Sequence, residues 1–74
     1  MPCDEWRDLS RRLGLPPQQA AIVELILQGK RDKQIASFLH LSHGTVRTHL
    51  RFIFRRLNVT DRVELVLRIA ALRA

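Results

Sequence analysis

The sequence predicts an all-helical domain organised around a helix-turn-helix. Glycine and proline divide the chain into segments whose apolar residues recur at helical spacing, and no segment has the alternating pattern of a β-strand. Residues 33–60 contain no acidic side chain but include one lysine and four arginines, so positive charge is concentrated on one part of the fold. With 74 residues and a formal net charge of +6, the chain is expected to form one small domain that binds a polyanion.

The first two helices are bounded by glycines. An apolar stripe at i, i+3 and i+7 predicts a short helix over residues 4–13, which Gly14 ends. Pro16 and Pro17 suit the N-cap and first turn of a second helix, where a missing N–H costs nothing. Gly29 is the expected stop of that helix. These boundaries predict an N-terminal helix or linker over residues 1–14 and a main domain over residues 15–74.

Three further helices are predicted in the main domain. Asp32 suits the N-cap of the third, because its carboxylate can accept from the free N–H groups of the first turn. Ser42 is the expected N-cap of a fourth helix from His43 to Leu57, whose apolar residues form one continuous stripe. Asn58 can adopt the left-handed conformation that closes this helix. Asp61, with an acidic residue three positions later, opens a fifth helix that runs to the C-terminus.

The outward face of the fourth helix carries the candidate site. Arg47, Arg51 and Arg55 rise along one line beside Thr48 and flank the apolar stripe, so a helix docked by its stripe presents them to solvent. Arginine can donate two hydrogen bonds to guanine O6 and N7, while threonine can hydrogen-bond a base or contact a thymine methyl group. Such a helix can enter a major groove.

Arginines four residues apart on an amphipathic helix more often form an ordinary solvated face. Three features together favour a DNA-binding helix-turn-helix: the small Ala36, Val46 ten residues later, and the short turn between their helices. Ser42 and Thr45 also lie at the positive end of the fourth helix, where free N–H groups suit a phosphate oxygen. Double-stranded DNA is therefore the expected partner.

Other functional classes find little support in the sequence. The single cysteine, Cys3, allows no intramolecular disulfide and no metal-ligand cluster. His40, His43 and His49 lack partners at the spacing of a metal site or a catalytic triad, and no paired carboxylates or glycine-rich phosphate loop occurs. No apolar run approaches the roughly 18 residues of a membrane span. We expect a cytoplasmic protein that is not an enzyme and has no cofactor, no metal and no membrane contact.

A longer pattern runs through most of the chain without insertion. The residues that form it are Leu15, Pro16, Pro17, Ile22, Val23, Gly29, Lys33, Gln34, Ile35, Ala36, Leu41, Ser42, residues 44–49, Leu57, Asn58, Val59 and Arg62. Over residues 15–72 the chain thereby resembles the LuxR/FixJ-type (GerE-like) DNA-binding domain of many bacterial response regulators and quorum-sensing regulators. The resemblance implies a four-helix, LuxR-type helix-turn-helix bundle, here with a short extra N-terminal helix.

The resemblance also implies roles for particular residues. The helix from His43 to Leu57 would be the recognition helix. The residues that would face bases are Arg47, Thr48 and Arg51, and those at phosphates are Lys33, Ser42, Thr45, His49 and Arg55. Phe52 departs from the family pattern, which usually carries a polar residue at this outward position. Three interpretations of it stay open: a contact with thymine methyl groups, a contact with a partner protein, and an ordinary exposed aromatic side chain.

The last helix carries apolar residues on two nearly opposite sides, and one core cannot bury both. Leu65, Ile69 and Leu72 form the side that we expect to pair two copies, and dimerisation through this helix is also what the resemblance implies. A competing interpretation is that the N-terminal helix, with Trp6, covers this surface.

The sequence therefore predicts a bacterial transcription regulator, or its DNA-binding domain, that reads specific duplex DNA as a homodimer. Two alternatives stay open. The first is a sigma-factor-like domain that contacts promoters together with RNA polymerase; binding of a monomer only when polymerase is present would favour it. The second is a protein-interaction module that has lost DNA binding, against which the intact row of arginines argues.

Overall fold

The computed structural model describes residues 3–73 as five α-helices. They are α1 (Cys3–Arg12), α2 (Pro17–Leu27), α3 (Asp32–Leu39), α4 (His43–Leu57) and α5 (Arg62–Arg73). No strand occurs in this part of the chain. The all-helical class is confirmed, and the predicted range of the fourth helix agrees with α4 at both ends.

The ends of α2 follow the proline and glycine signals. Pro16 is the N-cap and Pro17 is the first helical residue, a position where proline costs no hydrogen bond. Gly29 has a φ of +86°, and its N–H donates to the Ile26 carbonyl oxygen at 2.9 Å. The Lys30 N–H donates to the Leu25 carbonyl oxygen at 3.0 Å, which completes a left-handed C-terminal cap.

The prediction that Asp32 caps α3 is wrong. Arg31 holds the N-cap position, and its N–H donates to the Gln34 side-chain oxygen at 2.9 Å. Asp32 is the first residue of the helix, and its carboxylate pairs instead with the Arg62 guanidinium. The local signal for a cap was genuine, but an arginine 30 positions away in the sequence competes for the same carboxylate.

The start of α5 uses two acidic side chains. Asp61 Oδ1 accepts from the Glu64 N–H at 2.8 Å, as the capping pattern predicts. Glu64 Oε2 in turn accepts from the Thr60 N–H at 3.0 Å, one residue before the cap. The Thr60 hydroxyl, followed by the Thr60 N–H, stabilises the ionised carboxyl and lowers the pKa of Glu64 below its ordinary value.

The core is one cluster to which all five helices contribute. α4 lies against both α2 and α3, and its stripe contributes Val46, Leu50, Ile53 and Leu57. The most deeply buried side chains elsewhere are Ile22, Val23, Ile35, Leu65 and Ile69. Because α4 is held by this whole stripe, its opposite face is fixed towards solvent.

α1 is joined to this core through Trp6. The indole is 4% exposed, and its Nε1–H donates to the Ala20 carbonyl oxygen of α2 at 3.1 Å. Arg73 Nε donates to Glu5 Oε1 at 2.8 Å, which ties the two ends of the domain together and lowers the pKa of Glu5. α1 therefore packs as part of the domain.

The structure corrects the predicted dimer residues on α5. Leu65 and Ile69 are 0% and 1% exposed and face the core, so neither can form an exposed pairing surface. Leu72 is exposed. The apolar residues that α5 leaves exposed also include Val63, Val66 and Leu67. Trp6 lines one groove with Val66 and Ile69, so α1 covers only one flank of the helix.

Candidate nucleic-acid interface

A short turn joins α3 to α4 and sets the geometry of the site. His40 takes the left-handed conformation with a φ of 57°, and the next residue, Leu41, donates its N–H to the Ala36 carbonyl oxygen at 2.9 Å. Ala36 and Val46 are both buried on the two helices that this turn connects. The arrangement is a helix-turn-helix, as the sequence predicts.

The three base-facing residues predicted from the sequence share the solvent face of α4 with Arg55, for which the sequence predicts a phosphate contact. Arg47, Thr48, Arg51 and Arg55 are all exposed, whereas the stripe that alternates with them at helical spacing is buried. Since about 100° separates successive residues on a helix, these four side chains cover a face centred opposite the core. The structure therefore brings together on one accessible surface the groups that can meet base edges.

Thr48 uses its hydroxyl within its own helix. Thr48 Oγ1 donates to the Gly44 carbonyl oxygen at 3.0 Å, a common arrangement for threonine in helices. Thr48 is exposed, so its methyl group is left as the part that is free to meet a base. Of the two contacts that the sequence allows for this residue, the structure favours the apolar one.

Ser42 and Thr45 form a linked pair at the start of α4. Ser42 Oγ accepts from the Thr45 N–H at 3.1 Å and donates to Thr45 Oγ1 at 2.8 Å. Ser42 is thereby committed to capping the helix, and the Thr45 hydroxyl keeps its own hydrogen for another acceptor. A phosphate oxygen at this positive helix end would meet Thr45 and the free backbone N–H groups.

The remaining predicted phosphate contacts differ in exposure. Lys33, in the first turn of α3, and Arg55 are exposed. His49 is half-buried beside the core stripe, and its Nδ1 is buried without a hydrogen-bond partner among residues 3–73. Its imidazole can therefore offer a phosphate only part of its surface.

The carboxylates nearest to the site are engaged in holding the fold. Arg62 donates from Nη1 to the Lys30 carbonyl oxygen at 3.1 Å and pairs through Nη2 with Asp32. Asp32, Asp61 and Arg62 line a cleft of about 400 Å³ together with Arg47 and Arg51. Among residues 3–73, neither Arg47 nor Arg51 forms an ion pair with a carboxylate, so both guanidinium groups are available to a ligand.

Phe52 and Arg56 are surface residues of α4 whose surroundings only the structure shows. They line a depression of about 440 Å³ with Arg55 and with Gln19 of α2. Gln19 has a buried side-chain oxygen without a partner among the described residues. Helical spacing places Arg56 outside the row of arginines, and its approach to α2 has no local signal in the sequence.

Other kinds of site are not formed by the described residues. Within residues 3–73, no three His, Cys, Asp or Glu side chains are grouped so that they could hold a metal ion. None of the five helices has both the length and the apolar character needed to cross a bilayer.

Comparison with known proteins gives a consistent family. The profile of bacterial regulatory proteins, luxR family, matches residues 13–69. The uncharacterized response regulatory protein YgeK of Escherichia coli is 42% identical over 52 residues, which are 70% of this chain and 35% of YgeK. The nitrate/nitrite response regulator protein NarP of Escherichia coli is 41% identical over 49 residues, 66% of this chain and 23% of NarP.

A relative from another bacterium agrees. The transcriptional regulatory protein DesR of Bacillus subtilis is 35% identical over 54 residues, which are 73% of this chain and 27% of DesR. The chain thus spans about a third or less of the length of these relatives. No solved structure matches it.

Proposed function

The chain belongs to the luxR family of bacterial regulatory proteins and is the DNA-binding domain of a transcription regulator. We propose that it recognises a specific DNA site by placing α4 in the major groove, and that two copies bind as a dimer on two half-sites. The whole protein would act in the cytoplasm, where the chromosome lies. The proposal assigns the chain no catalytic step.

The observation that carries this proposal is the division of α4 into two faces. Its buried stripe is held by α2 and α3, and its exposed face presents Arg47, Thr48 and Arg51 to solvent. A rigidly held helix can align side chains with base edges, since neither the backbone nor the helix axis has to be ordered on binding. Guanine for the arginines and thymine for the Thr48 methyl are the bases that this set favours.

Phosphate contacts would fix the register of α4 on the duplex. We assign them to Lys33, to Thr45 with the N–H groups at the start of α4, and to Arg55, with His49 contributing from its exposed part. These groups surround the base-facing set and belong to both helices of the helix-turn-helix. Contacts of this kind position the protein without reading sequence.

The dimer that we propose uses the exposed side of α5 that carries Val63, Val66 and Leu67. An apolar row of this kind on a small domain marks an interaction surface. The domain measures 32 × 25 × 20 Å, so two copies side by side would fit half-sites about 34–36 Å apart, which is one turn of DNA. One helix of 12 residues offers less than the roughly 800 Å² per partner of a standard interface, and we expect a weak dimer that forms on DNA.

Salt titration of DNA binding tests the assignment of residues. Arg47→Ala and Arg51→Ala should each cost about 1–3 kcal/mol on a selected site and much less on random duplex, whereas Lys33→Ala should weaken both and reduce the salt slope by about 1. Arg11→Ala, which removes one exposed arginine from α1, is the matched control and should change neither. Equal losses on selected and random DNA for Arg47, Arg51 and Lys33 variants would refute the division between base and phosphate contacts.

Analytical ultracentrifugation tests the dimer separately. The free protein should sediment as a monomer at low concentration, and a duplex with two half-sites should carry two copies. Leu67→Glu should abolish the second copy while leaving the melting temperature nearly unchanged, because Leu67 is exposed. One copy bound per duplex, and only when RNA polymerase is added, would instead indicate a promoter-contacting subunit.

A further inference from the structure

Phe52 is a large apolar side chain on the face of α4 that otherwise carries arginines. It is 50% exposed, although its neighbours Ile53 and Phe54 are turned towards the core. Half of this side chain therefore stays in contact with water and contributes nothing to the stability of the fold. The position therefore suggests a contact that is made outside this chain.

The ring continues an apolar strip that begins at Thr48. Residues four apart are neighbours on a helix surface, about 40° apart around the axis. The Thr48 hydroxyl is bonded to the Gly44 carbonyl oxygen, so the Thr48 methyl and the Phe52 ring together present apolar surface. Arg51 and Arg55 lie on one side of this strip, and Arg55 and Arg56 line the same depression as the ring.

The surroundings of Phe52 favour a nucleic acid over a protein partner. Residues 33–60 carry no carboxylate, and the side chains beside the ring in this depression are two arginines and Gln19. Duplex DNA supplies the phosphates that these arginines attract, and the edges of its bases in the groove would lie next to the ring. In the major groove, the thymine C5-methyl is the apolar group that base edges offer.

The geometry points to Phe52 as a specificity-determining residue: with the Thr48 methyl it contacts thymine methyl groups and selects A·T pairs beside the guanines that the arginines read. This inference rests on the proposed function, because it requires α4 to lie in the major groove. Phe52 would then gain on DNA the burial that the fold does not give it.

Replacement of thymine by deoxyuridine tests the contact directly, because it removes only the methyl group. A duplex is first selected with the full chain from random sequence, and each thymine in it is then replaced in turn. We expect at least one replacement to weaken binding of the unaltered protein about fourfold, the effect of losing one buried methyl group. Phe52→Ala should bind the thymine and deoxyuridine duplexes equally at that position.

Two further variants separate the possible sources of an effect. Phe38→Ala removes an aromatic residue that is 68% exposed on α3. This variant should still bind the thymine duplex more tightly than the deoxyuridine duplex, by the same factor as the unaltered protein; we call this factor the methyl dependence. Thr48→Ser removes the other methyl group, and a position that responds to Thr48→Ser but not to Phe52→Ala belongs to Thr48 alone. Melting curves of Phe38→Ala and Thr48→Ser should coincide with that of the unaltered protein within a few degrees, whereas Phe52→Ala should melt about 5–10 °C lower because half of its side chain is buried. Thymine and deoxyuridine duplexes are compared within one variant, so this shift does not affect the test.

The outcomes distinguish this inference from the function on which it rests. If the selection enriches a site but no thymine position loses its methyl dependence in Phe52→Ala, the inference is overturned and DNA reading by α4 stands. If the selection enriches no sequence at all, the proposed function fails and the inference fails with it. A thymine position at which deoxyuridine weakens binding of the unaltered protein and of Phe38→Ala, but not of Phe52→Ala, supports the contact, whether or not Thr48→Ser also loses the effect.

Discussion

Replacing Trp6 by alanine is expected to destabilise the whole domain, although α1 lies at the edge of the helical bundle. The indole is 4% exposed, and a buried tryptophan of up to about 250 Å² corresponds to about 6 kcal/mol, or about 4 kcal/mol once the compactness of the unfolded chain is allowed for. The hydrogen bond to the Ala20 carbonyl oxygen adds about 1 kcal/mol. Measured alanine replacements of buried aromatic residues cost about 3–5 kcal/mol, and we expect about 4 kcal/mol here.

The size of this loss should be visible in simple denaturation experiments. A domain of this length has a total stability of about 4–11 kcal/mol, so Trp6→Ala would remove a third of it or more. The melting temperature should fall by roughly 15–30 °C. Thermal and urea unfolding followed by far-UV circular dichroism measures both quantities, and a single transition should persist because α1 shares the core with the other helices.

Two variants separate packing from local helix effects. Trp6→Phe keeps most of the apolar contact and loses the indole donor, so it should cost only about 1 kcal/mol. Arg12→Ala breaks the exposed ion pair with Asp8 in the same helix and should stay within about 0.5 kcal/mol. A loss below about 1 kcal/mol for Trp6→Ala would refute the reasoning and favour the linker among the two possibilities, helix or linker, that the sequence leaves for residues 1–14.

Three further predictions concern helix ends. Ser42→Ala should cost about 1 kcal/mol of stability, because the Thr45 N–H loses its acceptor, and Ser42→Asp should restore stability while weakening DNA binding by its charge. Gly44→Ala should stabilise the fold by about 0.5 kcal/mol, since an added Cβ meets nothing within 4 Å, yet lower affinity for DNA in the same titration. Glu64→Gln should make the free energy of unfolding depend less on pH in the acid range. Because the pKa of Glu64 is lowered in the folded protein, the stabilisation that its carboxylate provides is complete above the ordinary pKa of 4.5 and is lost as pH falls through the lowered pKa.

Each of these predictions has an outcome that contradicts it. Equal stability of Ser42→Ala and the unaltered protein would show that another group caps α4. Unchanged DNA affinity in Gly44→Ala would mean that the duplex does not approach the first turn of α4. Parallel pH profiles for the Glu64→Gln variant and the unaltered protein would show that the bonds from Thr60 do not persist in solution.

Local signals were sufficient for the extents of the helices and for the exposed face of α4 that carries the arginines. Proline, glycine, serine and asparagine act on the backbone within one turn, so Pro16, Gly29, Ser42 and Asn58 mark helix ends correctly. The apolar stripe of α4 occupies only one side of the helix, so its opposite face follows from counting residues. The exposure of the α4 arginines could therefore be predicted from sequence.

The remaining features depend on partners that are distant in sequence. α5 is apolar on two sides, and only the packing of the other helices decides that Leu65 and Ile69 face inward while Leu67 stays exposed. Asp32 likewise pairs with Arg62 and does not cap α3, because Arg62 is brought close to it only by the folded structure. Helical periodicity gives the angle between side chains but not the direction of the core.

Function and stability can be changed separately by substitutions on α4, but not at every exposed position of α5. On α4 the core stripe and the proposed base-facing residues Arg47, Thr48 and Arg51 do not overlap, so Arg51 can change with little effect on folding. On α5, Val66 lines the groove beside Trp6 and is also part of the proposed pairing surface. Substitutions at Val66 should therefore alter dimerisation and stability together, whereas Leu67, which is 63% exposed, should alter dimerisation alone. Melting of the free protein, measured beside the number of copies bound to a duplex with two half-sites, would reveal this asymmetry for Val66→Ala and Leu67→Ala, and equal behaviour of the two variants in both experiments would place both residues on the same surface.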